Sequence, residues 1–182
     1  MELRETCIEG LIIVEPEVHG DQRGYFMETY HRARLEARGI RHQFVQDNQS
    51  RSIYGVVRGL HFQQEPHAQA KLIRVTEGMI YDVAVDLRPS SPTFGQWYGL
   101  TLSADNHLQL LVPRGFAHGF SVLSPHATLF YKCDAYYHPG SESGIRFDDP
   151  DLQIDWKISP DHAIVSGKDM NLPFFREISF KT

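Results

Sequence analysis

Four side chains able to move a proton or steady a negative charge interrupt otherwise apolar stretches of the sequence. They are His61 in Arg58-Gly59-Leu60-His61-Phe62-Gln63, Lys71 at the head of Lys71-Leu72-Ile73-Arg74-Val75, His118 in Pro113-Arg114-Gly115-Phe116-Ala117-His118-Gly119-Phe120, and Tyr131 in Phe130-Tyr131-Lys132. Burying such a group without a partner is costly, so each must be paired or used. Singly, each has an ordinary explanation. A strand histidine is usually a hydrogen-bonded structural residue, a buried tyrosine anchors its hydroxyl, and a lysine snorkels to the surface. As a set they suit proton transfer beside a carbonyl. An imidazole titrates near neutrality and can take a proton, a phenol can return one, and an ammonium can steady the enolate oxygen between the two steps.

Metal binding is the rival use of the histidines. Pro113-x-Gly115-x-x-His118 resembles the second motif of the cupin superfamily, where that histidine is often a metal ligand. The first cupin motif offers His-x-His, but the corresponding strand here reads His61-Phe62-Gln63, and His67 lies beyond a turn at Pro66. Two histidines without a carboxylate make a poor zinc or iron site, so no metal is expected. No Gly-x-Gly-x-x-Gly follows a strand, so no dinucleotide cofactor is expected either.

These residues need elements to position them. Tyr81, Val83, Val85 and Leu87 alternate with Asp82, Ala84 and Asp86, the period of two that marks a strand. Residues 71–76 read as the preceding strand, with Glu77-Gly78 as a hairpin turn between them. Similar runs fall at 10–18, 44–48, 56–63, 94–102, 108–112, 118–123 and 128–134, separated by turn-rich pieces at 88–92, 103–106 and 124–126. One short helix is expected at 31–37, with Thr29 as its cap and Gly39 as its stop. Many strands and little helix imply an all-β antiparallel barrel, best read as a jelly roll. Such a barrel holds one small ligand at its mouth, so its inward polar side chains are the place to look for a site. Past Gly144 the alternation fades, and the remainder reads as an irregular C-terminal extension packed on the barrel. The 182 residues suit one domain spanning 1–182.

The formal net charge of −5 offers no basic field for nucleic acid, though it leaves room for local basic pockets. The two cysteines, Cys7 and Cys133, form no CxxC pair, which argues against a disulfide framework and for a reducing compartment. No basic, apolar leader and no membrane-spanning run is present, so a cytoplasmic, membrane-free protein is expected.

Nearly the whole chain resembles the dTDP-4-dehydrorhamnose 3,5-epimerase family. The resemblance rests on Asp21-Gln22-Arg23-Gly24-Tyr25-Phe26, Phe44-Val45-Gln46-Asp47-Asn48, Val57-Arg58-Gly59-Leu60-His61-Phe62-Gln63 and Ala68-Gln69-Ala70-Lys71. It continues through Asp82-Val83-Ala84-Val85-Asp86-Leu87-Arg88, Ser91-Pro92-Thr93-Phe94-Gly95, Gly115-Phe116-Ala117-His118-Gly119-Phe120, Gly144-Ile145-Arg146-Phe147-Asp148-Asp149-Pro150 and Lys168-Asp169. It implies a cupin-like jelly-roll homodimer that needs no cofactor. The substrate would be dTDP-4-dehydro-6-deoxy-D-glucose and the product dTDP-4-dehydro-L-rhamnose, a precursor of L-rhamnose. It also implies His61 as base oriented by Asp169, Tyr131 as acid on the other face of the sugar, and Lys71 and His118 near the sugar ketone. Further contacts would fall on Arg23, Glu28, Gln46, Asp47, Asn48, Arg58, Glu142 and Lys168.

Two positions depart from the family pattern: His19 stands where an aromatic is usual, at a candidate thymine-stacking position, and Gln49 where a histidine is more common. A geometric puzzle also arises. Arg58 and His61 would face opposite sides of a regular strand: either Gly59 marks a bulge or bend that lets both reach one pocket, or Arg58 works at the rim. Two rival functions remain: an enzyme that inverts one carbon of a related 4-keto sugar nucleotide, and a non-catalytic cupin that binds such a ligand.

Overall fold

Strand-forming alternation dominates the chain, and the computed structural model, which describes residues 1–179, shows where each face points. Ahead of the main barrel lie β1 (Glu2–Glu5), β2 (Ile12–Glu15), the hairpin β3 (Val18–Asp21) and β4 (Gly24–Met27), and the helix α1 (Arg32–Glu36). The barrel strands are β5 (Gln46–Ile53), β6 (Val56–Gln63), β7 (Lys71–Glu77), β8 (Met79–Asp86), β9 (Trp97–Ser103), β10 (Gln109–Val112), β11 (Phe116–Val122), β12 (His126–Cys133) and β13 (Glu142–Gly144). A short β14 (Ile164–Val165) and helix α2 (Gly167–Met170) follow. No helix among the described residues is long and apolar enough to cross a membrane.

Two sheets face each other, one ordered β1-β2-β10-β7-β12-β5 and the other β13-β6-β11-β8-β9, with β14 added beside β6. From β5 to β13 the chain changes sheet at every step except between β8 and β9, which is the jelly-roll course. The expected hairpin at Glu77-Gly78 is therefore a corner. β7 pairs with β10 and β12, β8 pairs with β9 and β11, and Gly78 turns between the two sheets at φ +74°. The expected strand at 10–18 splits at Pro16, which has no N–H to give the ladder. His31, not Thr29, caps α1 by accepting from the Arg34 N–H, whereas Gly39 does stand past the helix end at φ +88°.

Both faces of β8 are buried, so its period of two separates two interiors and not core from solvent. Val83 and Val85 pack with Trp156, Leu152 and Ile145 of the C-terminal extension, while Ile80 and Ala84 point between the sheets with Ile73, Leu110 and Leu129. Each fully buried aliphatic side chain contributes about 1.5–3 kcal/mol of transfer free energy. In register, Cys133 lies opposite Lys71, Tyr131 opposite Ile73, and Leu129 opposite Val75. Polar groups thus gather at one end of the interior and aliphatic ones at the other.

Asp86, wholly buried at the end of β8, holds the turn that follows. It accepts from Arg88 Nε at 2.8 Å, Ser91 Oγ at 2.6 Å and Thr93 Oγ1 at 2.7 Å. Burial opposes its ionisation, but these donors outweigh burial and hold the carboxyl at about 2. Asp86→Asn should therefore lower the unfolding free energy at neutral pH by about 2 kcal/mol. Because the folded value lies below the unfolded one, this contribution is complete above the ordinary aspartate range and fades as the pH falls toward about 2. Urea titrations of both proteins across that window measure it.

Candidate active site

The site begins with one extra residue in β6. His61 pairs with His118 and Arg58 with Phe120, so three steps along β6 match two along β11. Gly59 takes up the surplus at φ +105°, where an added Cβ would lie 2.7 Å from the His118 carbonyl oxygen and 2.8 Å from Gly119 Cα. Only glycine fits that backbone and that gap. The bulge turns Arg58 and His61 to the same side of β6, where both line one groove and Arg58 stays exposed at the rim.

The bulge is held by Asp169, which the C-terminal extension delivers. Ser166 caps α2 by accepting from the Asp169 N–H at 3.0 Å, fixing a carboxylate that is 3% exposed. One oxygen accepts from the Gly59 N–H at 3.2 Å and the other lies 2.8 Å from His61 Nε2. Burial disfavours the Asp169 charge, yet His61, Gly59 and Ser166 keep its carboxyl below the usual aspartate range. With Nε2–H aimed at this carboxylate, Nδ1 is left as the basic atom of the imidazole.

Tyr131 and Lys71 stand on the sheet opposite His61, and all three line one cavity of about 240 Å³ together with Gln46, Asn48 and Glu142. A molecule between the sheets would meet an imidazole on one face and a phenol on the other. Burial, seconded by Cys133, pushes the Tyr131 hydroxyl above its ordinary range, while Arg58 opposes the rise. It therefore stays protonated at neutral pH, as an acid must. Burial lowers the Lys71 ammonium, and Cys133, Asp82 and Glu142 pull it partway back. At the mouth, Glu142 accepts from the Tyr137 hydroxyl and from Lys168 Nζ, each at 2.7 Å. Burial works against that carboxylate, but these two donors hold it below the ordinary glutamate range. Arg58, Lys168 and Asp169 line a groove that adjoins the cavity through His61.

Not every expected residue lies here. His118 is buried in the interior with Nε2 2.8 Å from Asp82 Oδ1, and does not line the cavity. Asp47 points to the outer side of β5 and binds Lys132 Nζ at 2.9 Å, because it alternates with the inward Gln46 and Asn48. Arg23 pairs with Asp21 at the tip of the β3–β4 hairpin, and Glu28 pairs with Arg34 beside His19 in a separate shallow cavity. Sequence reading passed over Tyr137, Gln63 and Asp82. Tyr137 sits in a loop without periodicity. Asp82 was legible only as one member of the alternating strand at 81–87. Gln63 ties two loops together, donating to the His67 carbonyl at 2.7 Å and accepting from the His138 N–H at 2.6 Å. Among the described residues, no group of three or more His, Cys, Asp or Glu side chains could hold a metal ion.

The family model for dTDP-4-dehydrorhamnose 3,5-epimerase matches residues 5–177. The chain belongs to this family. It is 51% identical over 174 residues to the dTDP-4-dehydrorhamnose 3,5-epimerase of Methanothermobacter thermautotrophicus, covering 95% of this chain and 94% of that protein. The crystal structure of the Elizabethkingia anophelis 3,5-epimerase superposes with a TM-score of 0.94 at 52% identity, over 99% of both chains. That of the Legionella pneumophila 3,5-epimerase, in complex with dTDP-4-keto-L-rhamnose, gives 0.94 at 47% identity over 98% of this chain and 94% of that one. The cupin-like, nearly all-β architecture is thus that of the 3,5-epimerase family.

Gly59→Ala tests the bulge. Either the strand straightens and turns His61 or Arg58 away, or the β6–β11 ladder opens. The unfolding free energy should fall by about 1–3 kcal/mol, and the His61 imidazole NMR signals should lose the signature of the Asp169 contact.

Proposed function

We propose that this protein inverts C3 and C5 of dTDP-4-dehydro-6-deoxy-D-glucose to give dTDP-4-dehydro-L-rhamnose, supplying L-rhamnose synthesis. The observation that carries this reading is an imidazole–carboxylate dyad and a protonated phenol on facing sheets across one cavity. The C4 ketone of the sugar acidifies the protons on C3 and C5. His61 Nδ1 removes one, and the charge moves onto the ketone oxygen, where the Lys71 ammonium steadies it. Tyr131 then gives its hydroxyl proton to the carbon from the opposite face, and that centre is inverted. Once His61 has given its proton to water and the Tyr131 phenolate has regained one from water, the same pair acts at the second carbon and completes the reaction. No electron leaves the sugar, so no redox cofactor is required, and Lys71 supplies the positive charge a metal would otherwise provide.

Gln46, Asn48, Glu142, Arg58 and Lys168 serve in this reading as ligand contacts, the two cations suiting a diphosphate. Arg23, Glu28, Asp47 and His118 fall outside the cavity of one chain. The proposal includes a homodimer. The β3–β4 hairpin, which bears Arg23, presents Tyr25 at 61% and Phe26 at 70% exposure, an apolar surface suited to a second copy. Light scattering should report two copies, and Phe26→Asp should shift the protein toward one.

Incubation with the substrate in deuterium oxide, followed by NMR at C3 and C5, tests the reaction. Deuterium at both carbons is expected. Deuterium at one carbon would indicate a mono-epimerase, and at neither a binding protein. His61→Ala should abolish exchange at both positions, and Asp169→Asn should reduce it less. Tyr131→Phe should still wash protons into solvent but lose ~10²–10⁴-fold in inversion, the usual contribution of a general acid.

A further inference from the structure

Four consecutive residues at the mouth of the cavity lie outside strand and helix. Ala135, Tyr136, Tyr137 and His138 follow β12 as irregular backbone, with Tyr136 at 70% and Tyr137 at 51% exposure. Each is nevertheless gripped through its main chain by a glutamine. Gln69 Nε2 donates to the Ala135 carbonyl at 2.8 Å, and Gln46 Oε1 accepts from the Tyr137 N–H at 2.9 Å. Gln63 takes the other two, donating to the Tyr136 carbonyl at 3.3 Å and accepting from the His138 N–H at 2.6 Å. All three glutamines line the cavity, and they come from β5, β6 and the segment before β7. Gln63 does most. It is 8% exposed, and its Nε2 also donates to the His67 carbonyl at 2.7 Å. The imidazoles of His67 and His138 stack with centroids 3.9 Å apart, so one buried side chain holds the main chain of both stacked residues.

Only an amide can donate to two carbonyls and accept from an N–H at once. A carboxylate has no proton for the carbonyls, and an ammonium cannot accept. The loop so fixed carries Tyr137, which lines the cavity and gives its hydroxyl to Glu142 at 2.7 Å. We propose that Gln63 is a positioning residue for substrate binding: by fixing the main chain on both sides of Tyr137 it sets where that ring and its Glu142 contact stand at the mouth, and so how tightly the ligand is held. This rests on the epimerase reading above. Gln63 has no part in the proton transfers, because Asp169 orients His61 and the β12 ladders place Tyr131.

The test begins with the ligand-free full chain. By hydrogen exchange, the Tyr137 and His138 amides should exchange roughly 3- to 10-fold faster in Gln63→Ala than in the wild type, the worth of one ordinary hydrogen bond. The β12 amides should keep their protection. Gln63→Met, which retains the volume without the hydrogen bonds, should behave alike and guards against collapse of the cavity wall. With substrate, Gln63→Met should raise KM by roughly the same 3- to 10-fold. Its kcat and its ratio of proton washout to inversion should stay at wild-type values, since only uniform binding is lost. In a Tyr137→Ala background the same change should move KM by less than about twofold, because the effect passes through Tyr137. Unmoved loop exchange, or an unmoved KM in folded Gln63→Met, would overturn the proposal. So would a fall in kcat at constant KM, which marks a role in the chemistry, or full additivity with Tyr137→Ala, which marks a direct ligand contact. The exchange measurement requires no turnover. Faster loop exchange beside a wild-type protein that leaves the substrate unchanged would overturn both the epimerase reading and the binding role of Gln63, leaving only the clamp on the loop.

Discussion

The surplus residue in β6 is the constraint on which the site depends. A regular strand would send His61 and Arg58 to opposite faces, one between the sheets and the other under the C-terminal extension. One glycine at φ +105° brings both to one side, His61 in the cavity and Arg58 exposed at its rim. The same distortion frees the Gly59 N–H from the ladder, and Asp169 takes it. That carboxylate therefore satisfies a backbone donor and orients an imidazole at once, coupling the strand defect to the chemistry.

The jelly-roll course sets the rest. Because the chain alternates between sheets, residues near in sequence are placed on facing walls: Arg58 and His61 on one, Lys71 and Tyr131 on the other. Registered pairing then sorts polar from aliphatic along the interior. The aliphatic end supplies packing energy, and the polar end tolerates a cationic lysine, a buried aspartate and a protonated phenol because neighbouring charges and donors offset part of their desolvation.

Much of this was legible in the residues. Strand-rich architecture followed from the period of two and the turn clusters, and His61, Lys71 and Tyr131 stood out as ionisable groups in apolar runs. Gly59 inside a strand pattern pointed to the bulge. Three things were hidden, each for a physical reason. Glu77-Gly78 has hairpin chemistry, but a turn's residues do not say whether the next strand joins the same sheet. Asp82 and Asp86 alternate like a solvent face, yet the extension covers the other side of β8 and makes both faces interior. Tyr137 acts through the single side-chain hydrogen bond it gives Glu142, which leaves no periodic trace. For Asp47, alternation along β5 carried the information: it cannot share a face with Gln46 and Asn48.

The extension that delivers Asp169 also divides the molecule energetically. The barrel ladders are long and mutually supporting, whereas the segment from 145 to 179 is held by the packing of Ile145, Leu152 and Trp156, the short β14 beside β6, and scattered turn hydrogen bonds. Segments with so little regular backbone pairing open more readily than sheet cores. An opening confined to this segment would leave the walls of the cavity standing and the ligand contacts of β5 and β7 in place, while the imidazole lost its orienting carboxylate. Heat or mild denaturant would then silence turnover before the sheets melted, leaving a state that keeps the β5 and β7 contacts but has lost both the orienting carboxylate and Lys168.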